Sequence, residues 1–180
     1  PSTFRCMQAT NTMSYVRCLR GIASGIEYDA DLPMNLDPAD GRPVEMVLDL
    51  ERLAAEQPGT AWYDPHRRDL WRFGALMALS ISDPDDARHI VALGEGHTPL
   101  LDYRDHPRAR AAGLVLQIKE EGKSHAGYGA NPTQSFKDRG MAMVAAQARR
   151  LGLRRLAVPT QGNAGDSLTR YALAAGLSVV

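Results

Sequence analysis

Beyond residue 114, apolar runs and helical periodicity alternate at short spacing, and this succession restricts the fold more than any other feature. Leu114 to Lys119 places Leu, Val, Leu and Ile in six residues and reads as a strand. Gly122 to Pro132 is a Gly-rich connection. Ser135 is placed to cap a helix from about Phe136 to Leu151, with Met141, Val144, Ala145 and Ala148 as its apolar face and Gly152 as its stop. Arg155 to Pro159 reads as a buried strand and Thr160 to Asn163 as a tight turn. A helix over 164–175 ends at Gly176, and the last four residues open another strand. Strand, helix, strand, helix, strand at short loop lengths implies an α/β fold on a parallel sheet with right-handed crossovers. Ligands of such sheets sit beyond the carboxyl ends of the strands. The loops after Lys119 and Pro159 both lie at such ends, so the topology itself brings them together.

The first ninety residues are less regular. Val44 to Leu48 reads as a short strand, and Asp49 as the cap of a helix over Leu50 to Gln57 that Pro58-Gly59 ends. Asp64-Pro65 opens a second helix with Leu70, Phe73, Met77 and Ile81 on its buried face, stopped by Asp83-Pro84. The change of texture near residue 90 predicts a division into an extension of mixed helices and loops (1–90) and an α/β core (91–180).

Composition removes several functions. Lys and Arg number 21 against 21 Asp and Glu. There is thus no basic surplus for a nucleic acid, and no basic amphipathic face for a membrane surface. No apolar run reaches the length of about 18 residues that a spanning helix requires, and the first 20 residues hold no signal-like segment. Cys6 and Cys18 are too few for a disulfide scaffold, which suits a reducing cytoplasm. The chain opens at Pro1 and closes on Leu177-Ser178-Val179-Val180, and is expected to be part of a longer polypeptide. A natural chain whose last strand docks at a sheet edge is the alternative.

Three loops carry chemistry. Asn131-Pro132-Thr133-Gln134-Ser135-Phe136-Lys137-Asp138-Arg139-Gly140 puts Lys137 in the first turn of a helix. The positive end of the helix dipole costs a lysine there about 0.5 kcal/mol and favours its neutral amine, which is what imine chemistry needs. A solvated lysine beside Asp138 and Arg139 is the plainer reading. Pro159-Thr160-Gln161-Gly162-Asn163-Ala164-Gly165 follows a strand and opens a helix, where backbone N–H groups form an anion site and Asn163 offers an amide. An ordinary turn capped by Asn163 is the plainer reading here. Gly94-Glu95-Gly96-His97-Thr98-Pro99-Leu100 is by itself only a Gly-rich turn. His97 has no Ser or Cys at a recognisable spacing, and no GxGxxG, P-loop or HExxH pattern is present.

In this order, GEGHTPL, NPTQSFKDRG and PTQGNAG resemble the pyridoxal-phosphate enzymes of the tryptophan-synthase-β fold type, and within them most closely the threonine synthases. The resemblance covers about residues 91–180, and Trp71-Arg72-Phe73 with Ile90 is similar to the segment that precedes that core. It implies a three-layer parallel-sheet α/β fold, here incomplete at the carboxyl end. It also implies pyridoxal 5'-phosphate as cofactor and a small amino-acid substrate, O-phospho-L-homoserine, converted with water to L-threonine and phosphate. Lys137 matches the lysine that holds the cofactor as an internal aldimine, Phe136 its neighbour beside the ring, and Asn163 the asparagine bonded to the ring hydroxyl. Thr160, Gln161, Gly162 and Ala164 match the loop that receives the substrate α-carboxylate. No nucleic acid or membrane partner is implied, and a homodimer is compatible.

Departures accompany the resemblance. Gln134 stands where glycine is usual, and Glu121 to Ala130 reads as an insertion of about nine residues. Cys18 with Gly25-Ile26-Glu27-Tyr28 is similar to a CxxCGxxY element whose second cysteine is lost to Gly21 or Ser24. Four ligands are usual for zinc, so no metal is expected. The loop for the cofactor phosphate and the partner of the pyridine nitrogen are expected beyond residue 180, which would leave the chain inactive by itself. A serine/threonine dehydratase or cysteine-synthase-like enzyme is the alternative within the fold type. A non-catalytic truncated remnant is the alternative from another class.

Overall fold

The computed structural model describes residues 14–180, so Cys6 lies outside the described residues. Two units divide the chain: residues up to Asp64 together with Phe73–Ala87, and Pro65–Arg72 together with Arg88–Val180.

In the first unit, β1 (Val16–Gly21) lies between β2 (Glu27–Tyr28) and β3 (Val44–Leu48) in an antiparallel sheet. α1 (Leu50–Glu56) follows, and Asp49 caps it as expected by accepting the Arg52 N–H at 3.0 Å. Tyr15, Cys18 and Leu53 are buried. The segment similar to CxxCGxxY is tied by a carboxylate. Buried Asp37 accepts the hydroxyls of Ser24 and Tyr28, each at 2.5 Å, and the Ala39 N–H at 2.8 Å. These bonds, the Ser24 one foremost, hold Asp37 below the usual carboxylate range. Gly21 is required by close approach, because a Cβ there would overlap the Asp37 carboxylate. Burial pushes the Cys18 thiol up. Among the described residues no group of three His, Cys, Asp or Glu side chains is placed to hold a metal ion.

The second helix expected after Pro65 is absent. Leu70–Leu76 winds as 3-10 turns broken at Phe73; of the expected stripe only Leu70 is buried, with Trp71, Leu79 and Ser80, while Phe73, Met77 and Ile81 are half-buried. The chain changes unit between Arg72 and Phe73, and one continuous stripe cannot serve two cores. Pro84, expected to end that helix, starts α2 (Pro84–Ala87), where a proline suits the first position.

In the second unit, β4 (Leu100–Asp102) leads through α3 (Pro107–Ala111) to β5 (Gln117–Lys119), which pairs antiparallel with β4. Then come α4 (Lys137–Arg150), β6 (Arg155–Leu156), α5 (Asn163–Ala174) and β7 (Ser178–Val179). β6 and β7 pair in parallel, with Arg155 opposite Ser178 and Leu156 opposite Val179. The single parallel sheet expected from residue 114 onward is therefore realised only in this last pair among the described residues. Leu114 and Val115 stay exposed, and the strand read over them shortens to the three residues that pair with β4. Arg155 to Pro159 is not a buried strand either: Arg155, Ala157 and Pro159 are exposed.

α4 begins one residue later than expected and is rotated from the expected face. Ala142, Ala145, Ala146 and Ala148 are buried, whereas Val144 is exposed and Met141 half-buried. Small side chains let α4 and α5 approach closely. Ala148, Ala172 and Leu177 form a core beneath Leu156, Ala175 and Val179. Gly152 and Gly176 follow the two helices at φ +69° and +73°, the left-handed conformation of a helix stop. The fold is mixed α/β, and among the described residues no helix is long and apolar enough to cross a membrane.

Candidate functional site

Lys137 is the first residue of α4. Ser135 accepts its N–H at 3.2 Å, although Phe136 occupies the cap position itself. The half-buried lysine lays its ammonium over the Phe136 ring, 4.7 Å from the centroid, and that ring is 59% exposed. Gln134, two residues before Phe136, has φ +61°. The left-handed region costs a side chain about 1–2 kcal/mol, so this departure from glycine leaves a strained backbone beside the lysine.

The loop of the third motif is open. Thr160, Gln161, Gly162 and Asn163 are exposed and Ala164 is half-buried. Gly162, not Asn163, stands at the cap position of α5, with φ +150°. Thr160 Oγ1 accepts the N–H groups of Gly162 at 3.1 Å and Gly165 at 3.3 Å, so a threonine hydroxyl does the capping. Gly165 has no room for a side chain: a Cβ would meet Thr160 Cγ2 at 2.5 Å.

Asp138 ties the lysine loop to α5. It is fully buried and accepts the Thr133 N–H at 2.7 Å, the Thr133 hydroxyl at 2.7 Å and the Ser167 hydroxyl at 2.6 Å. Asp138 is the second residue of α4, and Ser167 lies one turn into α5. One hydrogen bond thus links the starts of the helices that carry Lys137 and Asn163.

The first motif is tied in separately. Glu95 is fully buried and accepts the Leu93 N–H and the Tyr171 hydroxyl, each at 2.8 Å. Asn131 accepts the Gly96 N–H at 3.0 Å and donates to Glu121. Arg139 grips Glu121 through two nitrogens, at 2.8 and 3.1 Å, and donates to the Thr98 hydroxyl at 3.0 Å. The segment read as an insertion turns at His125–Tyr128 and lies on His97, whose ring stacks on Tyr128 at 5.2 Å. The Gly129 N–H donates to the His97 carbonyl at 3.0 Å.

Sequence reasoning named Lys137, Phe136, Asn163 and the 160–164 loop. It gave no structural role to Glu95, Asn131, Ser167 or Tyr171. Ser167 and Tyr171 stand four apart on α5 and so share one face, but nothing local marks Asp138 and Glu95 as their acceptors.

Burial is the main force on Glu95 and raises its carboxyl above the ordinary glutamate range, against smaller opposing bonds from Leu93 and Tyr171. A raised folded-state pKa contributes stability that is complete below the unfolded value of about 4.3 and is lost as pH rises through the folded value. Relative to the wild type, Glu95→Gln should therefore gain in thermal midpoint as pH rises from about 4 toward neutrality. Melts followed by circular dichroism check this, and a difference independent of pH would contradict it.

No family model matches the chain. Among curated proteins, it is 36% identical over 158 residues to the threonine synthase of Methanocaldococcus jannaschii, covering 87% of this chain and 35% of that one. It is 32% identical over 134 residues to the threonine synthase of Methanosarcina acetivorans, covering 74% and 27%. The threonine synthase of Halalkalibacterium halodurans is 36% identical over 91 residues, covering 51% and 23%. The chain thus spans about a quarter to a third of the length of the curated relatives it matches. In sequence, the chain is similar to these threonine synthases over 51–87% of its length.

Proposed function

We propose that the chain is the amino-terminal part of a pyridoxal-phosphate-dependent lyase of the tryptophan-synthase-β fold type. The complete enzyme converts O-phospho-L-homoserine and water to L-threonine and phosphate. The observation that carries this reading is the Asp138–Ser167 bond, which links the starts of the helices bearing Lys137 and Asn163.

The residues at the two helix starts suit the cofactor. Lys137 supplies an amine at a helix start, Phe136 an exposed aromatic face, and Asn163 an exposed amide. When bound, pyridoxal phosphate supplies an electron sink for charge that develops on the substrate. Lys137 holds the cofactor and is the group that takes and returns a proton at Nζ. Phe136 would flank the ring, and Asn163 would bond its hydroxyl. Thr160, Gln161, Gly162 and Ala164 receive the α-carboxylate at the start of α5, where backbone N–H groups favour an anion. Residues 91–180 open the cofactor-binding core, and residues 1–90 extend it. Turnover is a property of the complete enzyme, which acts on a small amino-acid substrate in the cytoplasm.

The test is phosphate release and threonine formation by the complete protein supplied with cofactor and O-phospho-L-homoserine. Ammonia released from serine or threonine, with no phosphate release, would overturn the substrate assignment. In the same assay, Asn163→Ala should slow turnover about ten- to a hundredfold, the worth of one bond to a charged oxygen. Because Gly162 and Thr160 cap α5, the melting temperature should stay near that of the wild type. An unchanged rate would remove Asn163 from the site.

A further inference from the structure

We propose that Ser167 and Tyr171 are positioning residues, a two-hydroxyl clamp through which α5 holds both the lysine loop and the Gly94–Thr98 loop. The proposal rests on the cofactor reading for its functional meaning, and on geometry for its existence. Both residues are fully buried and stand four apart, on one face of α5. Ser167 Oγ donates to Asp138 Oδ1 at 2.6 Å, and Tyr171 OH donates to Glu95 Oε2 at 2.8 Å. Each acceptor is a fully buried carboxylate that also binds its own loop: Asp138 takes the Thr133 N–H and hydroxyl, and Glu95 takes the Leu93 N–H. Each carboxylate therefore bridges a loop to α5, and Asn163 begins that helix one turn before Ser167.

Packing does not explain this choice. Elsewhere the buried faces of α4 and α5 are apolar, at Ala142, Ala145, Ala146, Ala148, Leu168 and Ala172. Two buried carboxylates carry a desolvation cost that apolar residues of similar size would avoid. What the polar pairs provide is direction. A hydroxyl-to-carboxylate bond sets distance and angle, whereas an alanine contact tolerates sliding. The clamp sets where Lys137 stands relative to Asn163 without touching substrate or cofactor. Displacements of about 1 Å in such placements can cost a hundredfold in rate.

The experiment compares Ser167→Ala, Ser167→Thr and Tyr171→Phe with the wild type in the complete protein, by two readouts. The first is hydrogen exchange at single amides without cofactor. Ser167→Ala should speed exchange at the Thr133 amide, and Tyr171→Phe at the Leu93 amide, each by at least about tenfold. Ser167→Thr, which keeps the hydroxyl, should restore protection. The second is the fraction of Lys137 that borohydride traps at a fixed pyridoxal phosphate concentration. It should fall in Ser167→Ala and recover in Ser167→Thr. Tyr171→Phe keeps the ring and its packing, so it tests the hydroxyl even if the serine variants fold poorly. Unchanged exchange at the Leu93 amide in Tyr171→Phe would overturn the clamp. So would exchange that speeds, or trapping that falls, equally in both serine variants. Absence of label on wild-type Lys137 would count against the cofactor reading alone, and the exchange results would still decide the clamp.

Discussion

Lys137→Ala is expected to abolish turnover in the complete enzyme and to remove its cofactor-derived visible absorbance. Lys137 is the first residue of α4. Its ammonium rests on the exposed Phe136 ring, and Ser135 and Asp138 fix the backbone on either side. Alanine has no nucleophilic nitrogen, so neither covalent capture nor proton transfer can occur at this position. Alanine is also a good helix former, and Lys137 is only half-buried, so the fold should survive. The expected result is a folded protein with no activity above background. Residual turnover within about tenfold of the wild type would mean that another amine does the chemistry.

Asp138→Ala should have the largest effect on stability, a loss of about 3–5 kcal/mol. The carboxylate is fully buried and accepts three bonds. Truncation leaves the Thr133 N–H, the Thr133 hydroxyl and the Ser167 hydroxyl without an acceptor, at about 1–3 kcal/mol for each donor that water cannot reach. Ser167 is fully buried, whereas Thr133 is half-buried and partly relieved by solvent. Asp138→Asn keeps one oxygen and should lose less. Urea unfolding measures both: the midpoint should fall at an unchanged slope. A loss below about 1 kcal/mol would show that water replaces the carboxylate and that the link between α4 and α5 is dispensable.

The elements read correctly from sequence are those with local causes. Asp49 caps α1 through its own side chain, and Gly152 and Gly176 end α4 and α5 through left-handed backbone. The errors arose where tertiary packing decides. The stripe Leu70–Phe73–Met77–Ile81 has helical spacing, but the chain changes unit within it and the helix does not form. Val144 has the larger apolar side chain, yet the close contact between α4 and α5 selects the alanines and leaves Val144 exposed. Leu114 and Val115 look like a strand by composition, but only Gln117–Lys119 find a partner. At the site, the loops were legible from their motifs, whereas the groups that join them were not. Ser167, Tyr171, Glu95 and Asn131 act through partners 29, 76 and 35 residues away, and no local pattern encodes such distances.

The proposed function requires Lys137 to be the cofactor lysine. Borohydride reduction of the cofactor-loaded protein, followed by peptide mass mapping, tests it most directly. A single pyridoxyl group is expected on the peptide containing Phe136-Lys137-Asp138. Lys119 already donates to the carbonyls of Thr98 and Pro99, and Lys123 lies exposed in the segment folded over His97. A pyridoxyl group on Lys119 or Lys123, with Lys137 unmodified, would overturn the assignment of Lys137.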